Sequence, residues 1–108
     1  MAEDNPRPPQ VTVSREAVID LTLIYIQTAE TWDQQQAERY NEFLVGTFDK
    51  LAEMPFLGRP IAERPGLVSY MTKWKRASHG HRIVYRQVDD RLEIVRVLHT
   101  AMNWHDHV

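Results

Sequence analysis

The sequence predicts a two-layer α+β domain. A helical hairpin packs on a mainly antiparallel sheet, with elements in the order β-α-α-β-β-β. Three observations carry this expectation. Residues 83–88 and 92–98 are apolar, β-branched runs separated by Asp89, Asp90 and Arg91, which reads as a β-hairpin. Ala37, Tyr40, Leu44, Phe48 and Leu51 recur at intervals of three and four, the mark of a helix with one buried stripe. A second helical stretch lies just before it, and a connection this short folds two helices back on each other.

In chain order, residues 1–10 hold three prolines and several charges and are expected to be a flexible tail before a single domain over 11–108. Val11, Thr12 and Val13 form a short strand candidate. Ser14 suits an N-cap, with Arg15, Glu16 and Ala17 opening the first helix. Val18, Leu21, Tyr25 and Trp32 fall near one face of it, flanked by Ala17, Ile24 and Thr28. Ile19, Leu23 and Ile26 fall elsewhere on the same helix, further round than a surface helix needs. Such a helix is either packed on two sides within its own domain or keeps a face for a protein partner.

Asp33 and Gln36 have capping-box spacing and open the second helix. Met54 before Pro55 stops it, because the residue preceding proline disfavours helix. Residues 55–66 hold three prolines and two glycines and read as loop. Residues 67–76 read as a strand with Val68, Tyr70, Thr72 and Trp74 on one face. Residues 77–80 turn it into the hairpin, so the last three strands pair antiparallel.

Composition limits what the chain can do. At 108 residues, 43% apolar and 26% charged, it has room for one small core. No apolar run approaches the ~20 residues that span a bilayer, and the N-terminus lacks a signal-peptide pattern. No membrane association is expected, and cytoplasmic is the default location. With no cysteine, disulfides and thiolate chemistry are excluded. The net charge of −2 hides an asymmetry: residues 67–108 hold seven Lys/Arg against four Asp/Glu, and all five histidines. That part could meet an anionic partner, although cations also sit on solvated strand faces.

The chemistry-bearing residues are sparse. His79 with His81, and His105 with His107, have alternate spacing, yet zinc needs three or four ligands, and neither a metal nor a cofactor is expected. Ser14, Ser69 and Ser78 lack the setting of a nucleophile. Acid–base cleavage of RNA would draw on His81, His99, Arg82, Arg86, Lys73 and Lys75. His81 and Arg82, however, point to opposite faces of one strand. Tyr70, Trp74, Tyr85 and Trp104 could stack on bases, but such rings more often pack a core.

Four stretches together bring a family into view. They are residues 11–17 (Val-Thr-Val-Ser-Arg-Glu-Ala) with Asp20, Leu21, Tyr25 and Ile26; Leu51 to Pro55 with Gly58, Arg59 and Pro60; residues 80–86 (Gly-His-Arg-Ile-Val-Tyr-Arg); and residues 92–99 (Leu-Glu-Ile-Val-Arg-Val-Leu-His) followed by Met102. The chain resembles the ParE branch of the ParE/RelE toxin superfamily. The resemblance implies the toxin of a type II toxin–antitoxin pair, neutralised by a ParD-like antitoxin in a hetero-oligomer. It implies DNA gyrase as the target, in keeping with plasmid stabilisation, while RelE-like relatives are ribosome-dependent mRNA endonucleases. Leu23, Ile26, Tyr70 and Trp74 are the expected antitoxin contacts. Lys73, Lys75, Arg82, Met102 and Trp104 are the expected target contacts. In the nuclease alternative, Arg82, Arg86 and His99 would be catalytic. Arg82 matches a basic position of the nuclease branch, but the C-terminal catalytic places hold Thr100, Ala101, Met102 and Val108, and His99 lies one place off. The resemblance therefore favours a non-enzymatic toxin.

Overall fold

The computed structural model describes residues 10–74 and 80–99. Its elements are β1 (Gln10–Val13), α1 (Arg15–Thr31), α2 (Gln34–Glu53), β2 (Arg59–Pro60), β3 (Val68–Met71), β4 (His81–Val88) and β5 (Arg91–His99). The five strands form one sheet in the order β1-β5-β4-β3-β2. All neighbours are antiparallel except β1 and β5, which run parallel. This is the expected α+β layering and element order, with β2 added inside the stretch read as loop.

Both helices start where their caps lie. The Ser14 hydroxyl accepts the Ala17 N–H at 3.0 Å, and the Asp33 carboxylate accepts the Gln36 N–H at 2.7 Å. Trp32 and Asp33 alone separate the helices, so α2 folds back against α1. α2 ends at Met54, and Pro55 opens a single 3-10 turn, Pro55–Leu57. The core lies between the helices and one sheet face. Leu44, Phe48 and Leu51 of α2 meet Ile83 and Tyr85 of β4 and Leu92, Ile94 and Val97 of β5.

β5 carries a bulge. Val84 pairs with Arg96 but Tyr85 pairs with Ile94, so Val95 is an extra residue. The start of α1 takes up the backbone groups around it. Ser14 donates its N–H to the Ile94 carbonyl at 2.9 Å and its hydroxyl to the Val95 carbonyl at 2.7 Å. Asp20 accepts the Val97 N–H at 2.9 Å and two guanidinium N–H groups of Arg96 at 2.8 and 2.9 Å. The Asp20 hydrogen bond raises the Arg96 pKa above the usual arginine value.

That carboxylate corrects the expected orientation of α1. The inward residues are Ala17, Asp20 and Ile24. Val18 is 50% exposed and Trp32 is 74% exposed, so the stripe built from them does not mark the core. Asp20 occupies the middle of the inner face because its partners lie on β5, and an apolar periodicity cannot register a charge there.

The strand over residues 67–76 is also shorter than expected. β3 is Val68–Met71, and the chain has left the strand conformation at Thr72. The Thr72 hydroxyl and the His81 backbone bond to each other there. The hairpin turn contains only Asp89 and Asp90, because Arg91 already pairs with Val88. Asp89 holds φ 56°, a left-handed conformation that a short polar side chain tolerates.

Asp20→Ala leaves Arg96 half-buried without its carboxylate and strips the Val97 N–H of its acceptor. The expected cost is about 3 kcal/mol of unfolding free energy, measured by urea denaturation. Asp20→Asn should recover part of it through the amide oxygen.

Candidate functional site

Two surfaces stand out, and they lie on different elements. The first is the outer face of α1. Val18, Ile19, Leu23 and Ile26 are each close to half exposed and share one side of the helix. Next to them a groove of about 330 Å³ is lined by Val18, Leu21, Thr22, Tyr25, Ile26 and Asn41. Among the described residues α1 is therefore packed on one side, and the other is an exposed apolar strip. Apolar exposure of this extent on a small domain marks an interaction surface.

Tyr70 and Trp74 do not join that strip. Both pack against the core cluster. The Trp74 ring lies 4.9 Å from Phe43 and 5.7 Å from Tyr40, centroid to centroid. The Lys50 ammonium sits 5.8 Å over the Tyr70 ring.

The second surface is basic and follows the last strands. Arg82 and Arg86 share the side of β4 opposite to Ile83 and Tyr85, which face the helices. Arg82 donates to the Ser69 hydroxyl at 3.2 Å. Arg86 pairs with Glu93 at 2.6 Å, and its side chain is 51% exposed. Lys73 is exposed just after β3. Lys75, Met102 and Trp104, and also His79, His105 and His107, lie outside the described residues.

His99 is on the other side of the sheet. It stands directly opposite His81 across β4 and β5, with ring centroids 5.3 Å apart. His81 in turn shares a 2.6 Å hydrogen bond between its Nδ1 and the Tyr40 hydroxyl of α2. Burial, and then the neighbouring His99, lower the His81 pKa to about 4, with Asp20 opposing. Burial raises the Tyr40 pKa, offset in part by a hydrogen bond with Thr72. A neutral histidine is thus fixed between helix and sheet. Arg82, Arg86 and His99 do not converge, and phosphoryl chemistry depends on groups positioned around one reacting centre. Among the described residues no three His, Asp or Glu side chains cluster in a way that could hold a metal. None of their helices is long and apolar enough to cross a membrane.

The geometry agrees with what known proteins show. A family model described as the ParE toxin of the type II toxin–antitoxin system parDE matches residues 11–104. The chain belongs to the ParE toxin family. Toxin ParE1 of Caulobacter vibrioides is 34% identical over 97 residues, covering 89% of this chain and 94% of that protein. The fold is similar to that of a chain from the chromosomal ParDE system of P. aeruginosa. The TM-score is 0.70 and the identity 20%, with 85% of this chain and 96% of that one covered. This ParE-type toxin therefore has the family's two-helix, five-stranded α+β architecture.

Several residues that matter to the site were not legible beforehand. Arg59 and Ser69 line one groove with Arg82, although Arg59 falls in the stretch that the sequence reads as loop and Ser69 in a strand. Tyr85 was read as a possible stacking ring. Instead its buried hydroxyl donates to the Pro55 carbonyl at 2.7 Å and accepts the Gly58 N–H at 3.0 Å. A Cβ at Gly58 would collide with that hydroxyl and with Val68. The Gly58-Arg59-Pro60 motif was the available signal for this close approach.

The buried His81 makes stability depend on pH. Its ordinary value is 6.5 and its folded value about 4, so the unfolded chain binds more protons between them. Stability is full above pH 6.5 and falls as pH drops toward 4, by at most about 3 kcal/mol from this group. Denaturation midpoints measured across that range should flatten in His81→Gln relative to the parent chain.

Proposed function

We propose that this toxin is held silent by a ParD-like antitoxin in a cytoplasmic hetero-oligomer, and that it stops replication by binding DNA gyrase without catalysis. Membership of the ParE family carries the reading. The exposed apolar face of α1 supports the antitoxin half. Leu23 and Ile26, with the adjoining groove at Val18, Leu21 and Tyr25, are its contact surface. Tyr70 and Trp74 contribute at most their outer edges, since their rings pack inward. The scatter of Arg82, Arg86 and His99 over two faces supports binding over RNA cleavage. The target surface is the basic side of the sheet at Lys73 and Arg82, and Lys75, Met102 and Trp104, which lie outside the described residues, are assigned to the target from the sequence alone.

Induction of the chain alone in a bacterium, with pulse labelling, tests this. DNA synthesis should stop before protein synthesis, with filamentation. Early arrest of protein synthesis with mRNA cut inside codons would overturn it in favour of a ribosome-dependent nuclease. Removing residues 102–108 should abolish toxicity and leave antitoxin binding intact. The double substitution Leu23→Asp with Ile26→Asp should do the reverse. It should keep toxicity and weaken antitoxin binding by a factor of about 100, given two half-exposed side chains at ~1.5 kcal/mol each.

A further inference from the structure

The first helix carries two of its charges the wrong way round. A helix dipole favours acidic side chains in the first turn and basic ones in the last. In α1, Arg15 is the first residue and Glu30 stands next to the last, Thr31. Glu16 follows the rule at the start, and no basic residue follows it at the end. Arg15 and Glu30 are both exposed, and neither has an ion-pair partner among the described residues. Nothing within the described fold accounts for their placement.

They bracket the apolar strip. At roughly 100° per residue, Arg15, Ile19, Thr22, Leu23, Ile26 and Glu30 fall within about 100° of one another around the helix axis. All of them are exposed. Ala17, Asp20 and Ile24 point the other way, into the domain. The outer face is thus ~22 Å long, with a cation at its start, an anion at its end and Ile19, Leu23 and Ile26 between them.

This pattern is complementary to itself. A two-fold axis between Thr22 and Leu23 lies equally far along the helix from Ile19 and Ile26, and equally far from Arg15 and Glu30. A second copy laid antiparallel across that axis sets Ile19 against Ile26 and Arg15 against Glu30. Each pair forms twice, as a contact between identical surfaces requires. A parallel copy would set Arg15 against Arg15 and Glu30 against Glu30. Other occupants fit the charges less well. A helix that lies on a membrane is rich in Lys and Arg on its polar face, and α1 has only Arg15. Nucleic acid needs a basic surface, and this one is balanced and mostly apolar.

We propose that the toxin without its antitoxin pairs with a second copy of itself. The outer faces of two antiparallel α1 helices meet, and Arg15 of each copy binds Glu30 of the other. A contact of one helix per copy is smaller than a permanent interface, which sets the dissociation constant at roughly 10–100 µM and leaves the face open to a tighter partner. The dimer goes beyond the antitoxin reading and does not rest on it, since the toxin alone forms it.

Sedimentation equilibrium of the full chain, made by cell-free synthesis and followed from about 1 µM to about 1 mM, tests this. The apparent mass should rise from that of a monomer to that of a dimer. Arg15→Glu or Glu30→Arg puts two like-charge contacts in place of two attractive ones and should weaken the dimer about tenfold at low salt. Both changes follow the helix dipole, so the monomer should keep its far-UV circular dichroism. Arg15→Glu combined with Glu30→Arg exchanges the charges and should restore the parent constant. Ile19→Asp should abolish the dimer. A parent chain that stays monomeric at the highest concentration overturns the proposal. So does a dimer that neither single charge reversal weakens, one that the paired exchange fails to restore, or one indifferent to Ile19→Asp.

Discussion

The Asp20 carboxylate holds the two layers in register. It reaches from α1 to both Arg96 and the Val97 N–H at the bulge of β5. A bulge frees backbone groups, and a buried backbone group without a partner is costly. Ser14 and Asp20, less than two turns apart on the chain, meet that need between them. Removing one partner of a buried ion pair leaves an uncompensated charge, so the pair constrains how α1 can sit. Only one rotation of α1 places both side chains over the bulge, and that rotation leaves Val18, Ile19, Leu23 and Ile26 outside.

The exposed apolar strip is thus a consequence of a polar contact on the far side of the helix. Ala17 and Ile24 are buried and anchor α1, while aliphatic residues of the same size stay about half exposed. For a toxin with an antitoxin this suits the task. The exposed face is set by the core, so it is in place without any partner, as a preformed docking surface requires. On the buried face of α2, Tyr40 plays the corresponding role, linking the helix to His81 at the open end of the hairpin. Burial keeps His81 neutral, which matches its use as a hydrogen-bonding strut in place of a general acid.

The cations sort by what they touch. Arg96 is structural, bound to Asp20. Arg86 forms an exposed pair with Glu93, a contact that contributes little to stability. Arg82 is held by Ser69 and faces the groove that Arg59 also lines. A run of basic residues that reads as one patch along the chain is divided among a core ion pair, a surface pair and a groove. That division is hard to reconcile with a single catalytic centre and suits contacts to another macromolecule.

By itself the sequence determined the two helix caps, the buried stripe of α2, the Ile83-to-Leu98 hairpin and the α+β order. All are local signals: a cap is three residues wide, a helical stripe repeats within one element, and a strand run is continuous. Its motifs also pointed to the ParE family. Tertiary structure alone decided which face of α1 is buried, because Asp20 finds its partners 76 and 77 residues away. It decided that His81 and His99 face each other, and that Arg59, Ser69 and Arg82 share a groove. Those pairings follow from strand register and the bulge at Val95, which no periodicity in the sequence records. Apolar spacing reports how often a side chain is buried, whereas a buried polar group is placed by a distant partner.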